Sequence, residues 1–195
     1  MFKALIPRWI RQMRNVRFRG GRWRLSVPDR KILEDQILPH FAEREDVRRV
    51  LDVGCAWFTR FYHELIPKAE YWTIERFPEL QKFGAPNHKA ISLLEIGDHF
   101  DNASFDLVVC NGVFGWGVDQ PEEIDAGLTA ISDALRPGGF LLIGWDDNDS
   151  NRPEGLKAAI EQKFEELEIE ALGGQEIRTD TPWRHVFSFY QRPSS

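Results

Sequence analysis

"VLDVGCAWFTR", residues 50–60, decides the fold. Val50, Leu51 and Val53 make a short apolar run of the kind that forms a strand buried on both faces. The run carries Asp52 and ends at Gly54, whose freedom at positive φ permits a sharp turn. A loop that cradles pyrophosphate places further glycines after such a turn, so that backbone N–H groups can approach the ligand. Here Ala56, Trp57 and Phe58 stand in those places. The turn is therefore that of an α/β ligand-binding strand without the phosphate cradle.

Working outward, strand and helix patterns alternate. "RRVLDVGC", "EYWTIE", "HKAISLL", "FDLVVCN" and "FLLIGW" read as strands. "TRFYHELIP", "FPELQKFG" and "PEEIDAGLTAISDAL" read as helices, the last stopped by "PGG". One more helix, "PEGLKAAIEQKF", precedes two closing strands, "LEIEAL" and "HVFSFYQR", with Gly173-Gly174 between them. Such alternation predicts parallel pairing with helices on both faces. Upstream, "PDRKILEDQILPHFAE" predicts a helix begun near Pro28, and "VRFRGGRWRL" predicts a hairpin turning at Gly20-Gly21. Residues 2–13 place Phe2, Leu5, Ile6, Trp9, Ile10 and Met13 at helical spacing.

The 195 residues fit one α/β domain, 29–195, preceded by a basic arm over 1–28, a helix plus hairpin. The arm carries eight basic residues and no acid, although the whole chain stands at −6. The other 17 basic residues against all 31 acids leave residues 29–195 at −14. No apolar run reaches the roughly 20 residues that span a bilayer. The two cysteines, Cys55 and Cys110, sit in apolar runs without CxxC pairing, which argues against a disulfide scaffold or zinc site and fits a reducing cytoplasm.

"VLDVGC", the acid that closes "WTIE", "FDLVVCNGVF" and "LRPGGFLLI" occur in the order and spacing of class I S-adenosylmethionine-dependent methyltransferases. The resemblance covers about residues 46–192. It implies an α/β, doubly wound, seven-stranded, mostly parallel Rossmann-like sheet of order 3-2-1-4-5-7-6 with the last strand antiparallel. It implies S-adenosylmethionine as cofactor, with Asp52 near the ammonium group, Gly54 and Ala56 in the turn, and Glu75, 23 residues after Asp52, on the ribose hydroxyls. The family's third-strand acid is replaced by "ISLLEIGDHF", where Ser92, Leu94 or Glu95 falls, and Glu95 is the residue expected at the adenine. Asn111 and Gly112 should face the methionine part.

On the acceptor side, Asp146 and Asp147 in "GWDDNDSN" are candidate catalytic residues, with His99. The loop's oxygens suit a sugar hydroxyl, a general base, a divalent cation or plain solvent. Metal is not expected, since Asn111 stands where magnesium-dependent members place an acid. Phe58 is expected to pack a following helix on the sheet, and Phe114 and Trp116 either wall a pocket or join the core. Asn/Asp-Pro-Pro-aromatic and Pro-Cys motifs are missing, so nucleic acid is not the expected partner. The expected reaction is O-methylation of a small molecule, sugar or lipid-linked acceptor. A catalytically weak scaffold and an RNA-modifying enzyme using the arm are the alternatives. Residues 1–28 are read as packing on the acidic body, closing over the substrate, or touching an anionic membrane surface from the cytoplasm.

Overall fold

The structure is a computed structural model and describes residues 15–194. Its first elements are the antiparallel strands β1 (Val16–Arg19) and β2 (Arg22–Leu25), followed by a helix, α1, made of Pro28–Ile32, a π-helical Leu33–Ile37 and Leu38–Ala42. The alternating part contains β3 (Arg49–Val53), β4 (Glu70–Ile74), β5 (Asn87–Lys89), α2 (Ile96–His99), β6 (Phe105–Asn111), α3 (Pro121–Ala134) and β7 (Leu135–Asp146). It closes with α4 (Leu156–Glu161), β8 (Glu165–Glu166), β9 (Glu176–Arg178) and β10 (His185–Gln191).

The main sheet has the order β5-β4-β3-β6-β7-β10-β8, with β9 also paired to β10. β3 through β7 are mutually parallel, and β10 runs antiparallel to its neighbours. Because β8 and β9 pair successive stretches of β10, the sheet has the predicted doubly wound arrangement with its sixth strand interrupted. Alternate residues of each strand feed two cores. Leu51, Val53, Val108, Cys110, Leu141 and Ile143 pack under Ile96 of α2, Ile124, Leu128 and Ile131 of α3, and Ile160 of α4. Val50, Leu107, Val109, Leu142, Phe187 and Phe189 pack under Leu33, Ile37, Leu38 and Phe41 of α1.

Several local expectations are corrected. No α-helix follows β3 or β4; turns and 3-10 pieces at Tyr62–Glu64 and Gln81–Phe83 stand there. Bulky aromatic and β-branched residues from Trp57 to Tyr62 are weak helix formers, and Pro67 and Pro86 close the two segments. β7 already begins at Leu135, and "PGG" sits in a bulge between the Phe105–Leu135 and Leu107–Phe140 pairs. "LEIEAL" is mostly irregular, with a 3-10 turn at Glu170–Leu172, so Gly173-Gly174 lies in the break between β8 and β9. α1 absorbs Pro39 through its π turn, in which Leu38 N–H reaches Leu33 C=O. The wider turn makes room for a ring that would otherwise strike the preceding helical carbonyl.

The hairpin turns at Gly20 and Gly21, with φ of +57° and +76°. One face carries the cross-strand pair Phe18–Trp23, with ring centroids 5.4 Å apart and exposures of 63% and 64%. Its arginines meet the body's acids: Arg19 bonds Asp35 at 2.7 Å, Arg22 bonds Glu64 at 2.6 Å and Arg24 bonds Glu34 at 3.2 Å. That much of the basic segment packs on the acidic body. The helix predicted over 2–13 lies outside the described residues.

Candidate active site

The carboxyl ends of β3, β4 and β6 open into a cleft of about 280 Å³, the place where open parallel sheets bind ligands. Gly54 follows β3 with φ +88°, and its N–H bonds the carbonyl of Ile74 at 2.8 Å. The turn continues through Ala56, whose N–H meets Thr59 Oγ1 at 2.9 Å. Ala56, Phe58 and Thr59 all line the cleft. Phe58 therefore does not pack a helix on the sheet; its ring lies 4.8 Å beneath the Arg30 guanidinium.

Glu75, buried at the end of β4, ties the two loops together. One carboxylate oxygen accepts Cys55 N–H at 3.0 Å and the other accepts Phe77 N–H at 2.8 Å. Each oxygen keeps lone-pair capacity for a hydroxyl in the cleft. Asp52 is buried, accepts the Tyr71 hydroxyl at 2.9 Å, and is pushed up to about 7 by burial, against the opposing effects of Tyr71 and Arg30. Burial also pushes the Cys55 thiol up to about 12, with Glu75 adding to the shift, so it is no nucleophile at neutral pH.

The sequence reading missed Arg30 and Tyr62. Arg30 reaches the cleft from α1; its Nε lies 3.7 Å from Asp29 and its Nη1 3.4 Å from the Tyr62 hydroxyl. Charge alone did not separate it from the other basic residues, and a helical residue 24 positions before Gly54 has no local cue tying it to that turn. Ser92 and Leu93 line the cleft behind β5, whereas Leu94 is exposed. Glu95 is exposed, and its carboxylate accepts Ser92 N–H at 2.8 Å in a capping box. His99 is exposed at the end of α2 and is not among the lining residues.

Asn111, Gly112 and Trp116 line the opposite wall, while Phe114 is fully buried in the core. Asp146 is buried against His185, 2.6 Å from its Nδ1. Asp147 is taken up by Arg152 at 2.6 Å, Arg178 at 3.0 Å and Arg184 at 3.2 Å. Neither aspartate lines the cleft. Among the described residues no cluster of three His, Cys, Asp or Glu side chains is arranged for a metal.

The cleft suits a ligand with an ammonium group, a carboxylate, a diol and a flat apolar end. Asp52 and Arg30 supply the opposite charges, Glu75 the acceptors for the diol, and Leu80 and Ile91 an apolar wall. S-adenosylmethionine has those parts and no phosphate.

Residues 24–193 match a family described as a methyltransferase domain. No curated protein matches the chain. Among solved structures it is similar to the N-methyltransferase NodS from Bradyrhizobium japonicum WM9 in complex with S-adenosyl-L-homocysteine. The TM-score is 0.65 at 18% identity, covering 85% of this chain and 88% of that one. The 1,6-didemethyltoxoflavin-N1-methyltransferase of Burkholderia thailandensis, with bound 1,6-didemethyltoxoflavin and S-adenosylhomocysteine, gives 0.55 at 18% identity over 85% and 82%. The CurJ carbon methyltransferase gives 0.59 at 13% identity over 84% and 54%. At these identities the structures speak for the fold, and the family match speaks for the activity. The chain belongs to the class I, Rossmann-like, S-adenosylmethionine-dependent methyltransferases.

Proposed function

We propose that this methyltransferase acts on a small-molecule acceptor whose nucleophile needs no protein base, a neutral amine or a ring nitrogen. The donor is held with its ammonium at Asp52, its carboxylate at Arg30 and its ribose at Glu75, over the Gly54 turn. The observation that carries this reading is the engagement of the acids expected on the acceptor side. Asp146 is bonded to His185 and Asp147 to three arginines, and neither lines the cleft. An alcohol must give up its proton as it attacks, which calls for a positioned base. A neutral nitrogen attacks with a lone pair it already has. The sulfonium supplies an activated methyl group, so the chain's task is alignment, and well-oriented reactants gain up to about 7–11 kcal/mol from it. Trp116, 39% exposed at the mouth, gives a planar acceptor a surface to stack on.

Tritium transfer from labelled donor to matched amines and alcohols of the same skeleton tests this. Label should appear on nitrogen; label on the alcohols with the amines unlabelled would restore the O-methylation expected from the sequence.

A second reading concerns the hairpin. The exposed Phe18–Trp23 pair continues a segment holding Lys3, Arg8, Arg11 and Arg14, a combination that favours peripheral contact with anionic lipid on the cytoplasmic side. Phe18→Ser with Trp23→Ser should reduce sedimentation with anionic vesicles at low salt. No sedimentation of the wild type would dismiss the reading.

A further inference from the structure

The charged side chains that line the cleft are Asp52, Glu75, Arg30 and Arg76, two of each sign. The donor, held as described above, engages the first three. Arg76 is left over. It directly follows Glu75 in the chain, and its guanidinium carbon lies 4.6 Å from the centroid of the Phe77 ring. Its Nη2 rests against the loop on the far side of the mouth, where a Cβ added to Gly117 would stand 2.5 Å from it. Arg76 therefore spans the mouth, from the end of β4 to the residue after Trp116. Among the described residues no carboxylate pairs with it and no oxygen accepts its N–H groups. The acid of the facing loop, Asp119, accepts the Gly117 N–H at 3.3 Å.

The donor gives Arg76 nothing to hold. Its carboxylate belongs to Arg30, its adenine and ribose are uncharged, and its sulfonium repels a guanidinium. With S-adenosylmethionine bound and Asp52 ionised, the two acids and two arginines cancel, and the sulfonium leaves the site with an excess of positive charge. An acceptor carrying one negative charge removes that excess. With one face of the guanidinium against Phe77, its fork of N–H groups stays open to a carboxylate, which accepts two such bonds side by side. A phosphate monoester brings a second negative charge, which would lie uncompensated beside Asp119.

We propose that Arg76 is a specificity-determining residue that binds a carboxylate on the acceptor. The substrates are then planar carboxylates that also bear the nucleophilic nitrogen. The inference rests on the nitrogen acceptor proposed above and adds the group by which that acceptor is chosen.

The test is binding of two probe pairs to the protein saturated with S-adenosylhomocysteine, by ligand-observed NMR titration near pH 7.5. The pairs are para-aminobenzoate with para-aminobenzamide, and nicotinate with nicotinamide. Each pair keeps its ring and nitrogen and differs in the charge of one substituent. The carboxylates should bind roughly threefold to tenfold more tightly than their amides, between the worth of an exposed ion pair and that of a charge-assisted hydrogen bond. Arg76→Gln should bring the members of each pair to equal affinity. Arg76 is exposed, so the substitution needs no repacking, and an unchanged melting temperature checks this. The affinity of the variant for S-adenosylhomocysteine should stay within about twofold of the wild type, because the donor does not use Arg76. Equal affinities within both pairs in the wild type, or no binding by either carboxylate at millimolar concentration, would overturn the proposal. So would a preference that survives Arg76→Gln, or a tenfold loss of S-adenosylhomocysteine affinity, which would assign Arg76 to the donor. These outcomes stand apart from the tritium experiment: label on oxygen would end the nitrogen reading whatever the carboxylate preference, and equal affinities would end this one whichever atom is labelled.

Discussion

Glutamine at position 75 is the most discriminating perturbation of the donor site. In the folded protein the two Glu75 oxygens accept the Cys55 and Phe77 N–H groups at 3.0 and 2.8 Å. Glu75→Gln keeps one acceptor and turns an NH2 toward the other backbone donor. Leaving that buried donor unmet costs about 1–3 kcal/mol of stability. A ribose hydroxyl bonded to the carboxylate loses a charge-assisted bond of about 1.5–3 kcal/mol, some of which a neutral amide recovers. The expected net loss is about 1.4–2.8 kcal/mol, or roughly tenfold to a hundredfold weaker binding of S-adenosylhomocysteine. Calorimetry should be run in parallel with the 2′,3′-dideoxyribose analogue, which has no hydroxyls to lose. Its affinity should change little between wild type and Glu75→Gln. Equal weakening of both ligands would make Glu75 a loop clamp only, and unchanged affinity for S-adenosylhomocysteine would remove it from the site.

Asp52 is held at about 7 in the free protein by burial, so below that pH it is mostly protonated. The donor's ammonium favours the carboxylate, and binding at pH 6 should therefore release a proton, detected as a dependence of the binding heat on buffer ionisation enthalpy; Asp52→Asn should abolish it. Glu34 is raised from 4.5 to about 7 by burial, with Arg24 opposing. A raised carboxyl pKa contributes stability that is present below the unfolded value and lost as pH rises through the folded one. Melting temperature should accordingly fall between pH 5 and pH 8, and Glu34→Gln should flatten that fall. Gly144→Ala forces a Cβ to within 1.8 Å of Asn111 Oδ1 and should lower stability by about 1–3 kcal/mol in urea unfolding, as overpacked sites do.

The parts legible in the sequence are those whose signal is local. Val50–Gly54, "WTIE" and "FDLVVCN" each carry an apolar run and its polar stop within a few residues. Those runs carry the family resemblance, and it is the resemblance that implies the strand order and points to Asp52, Gly54, Glu75 and Asn111, all of which line the cleft. The segments after β3 and β4 misled because loop residues that serve a cleft, such as Phe58, Tyr62 and Leu80, look apolar and roughly periodic without forming helices. Arg30 and His185 were illegible for another reason. They arrive from α1 and β10, and only the packed sheet brings them to residues 52 and 111. Asp146 illustrates the same limit: its position at the ligand edge follows from the strand end, but its partner is 39 residues away. The π turn in α1 follows from Pro39, whose conflict with a regular helix is a matter of backbone geometry.

The most direct test of the account is calorimetric titration of the full chain with S-adenosylmethionine and with S-adenosylhomocysteine. One site per chain is expected, with the two ligands competing and both weakened by Glu75→Gln. Absence of binding heat for either ligand at millimolar concentration, with the protein shown to be folded, would contradict it.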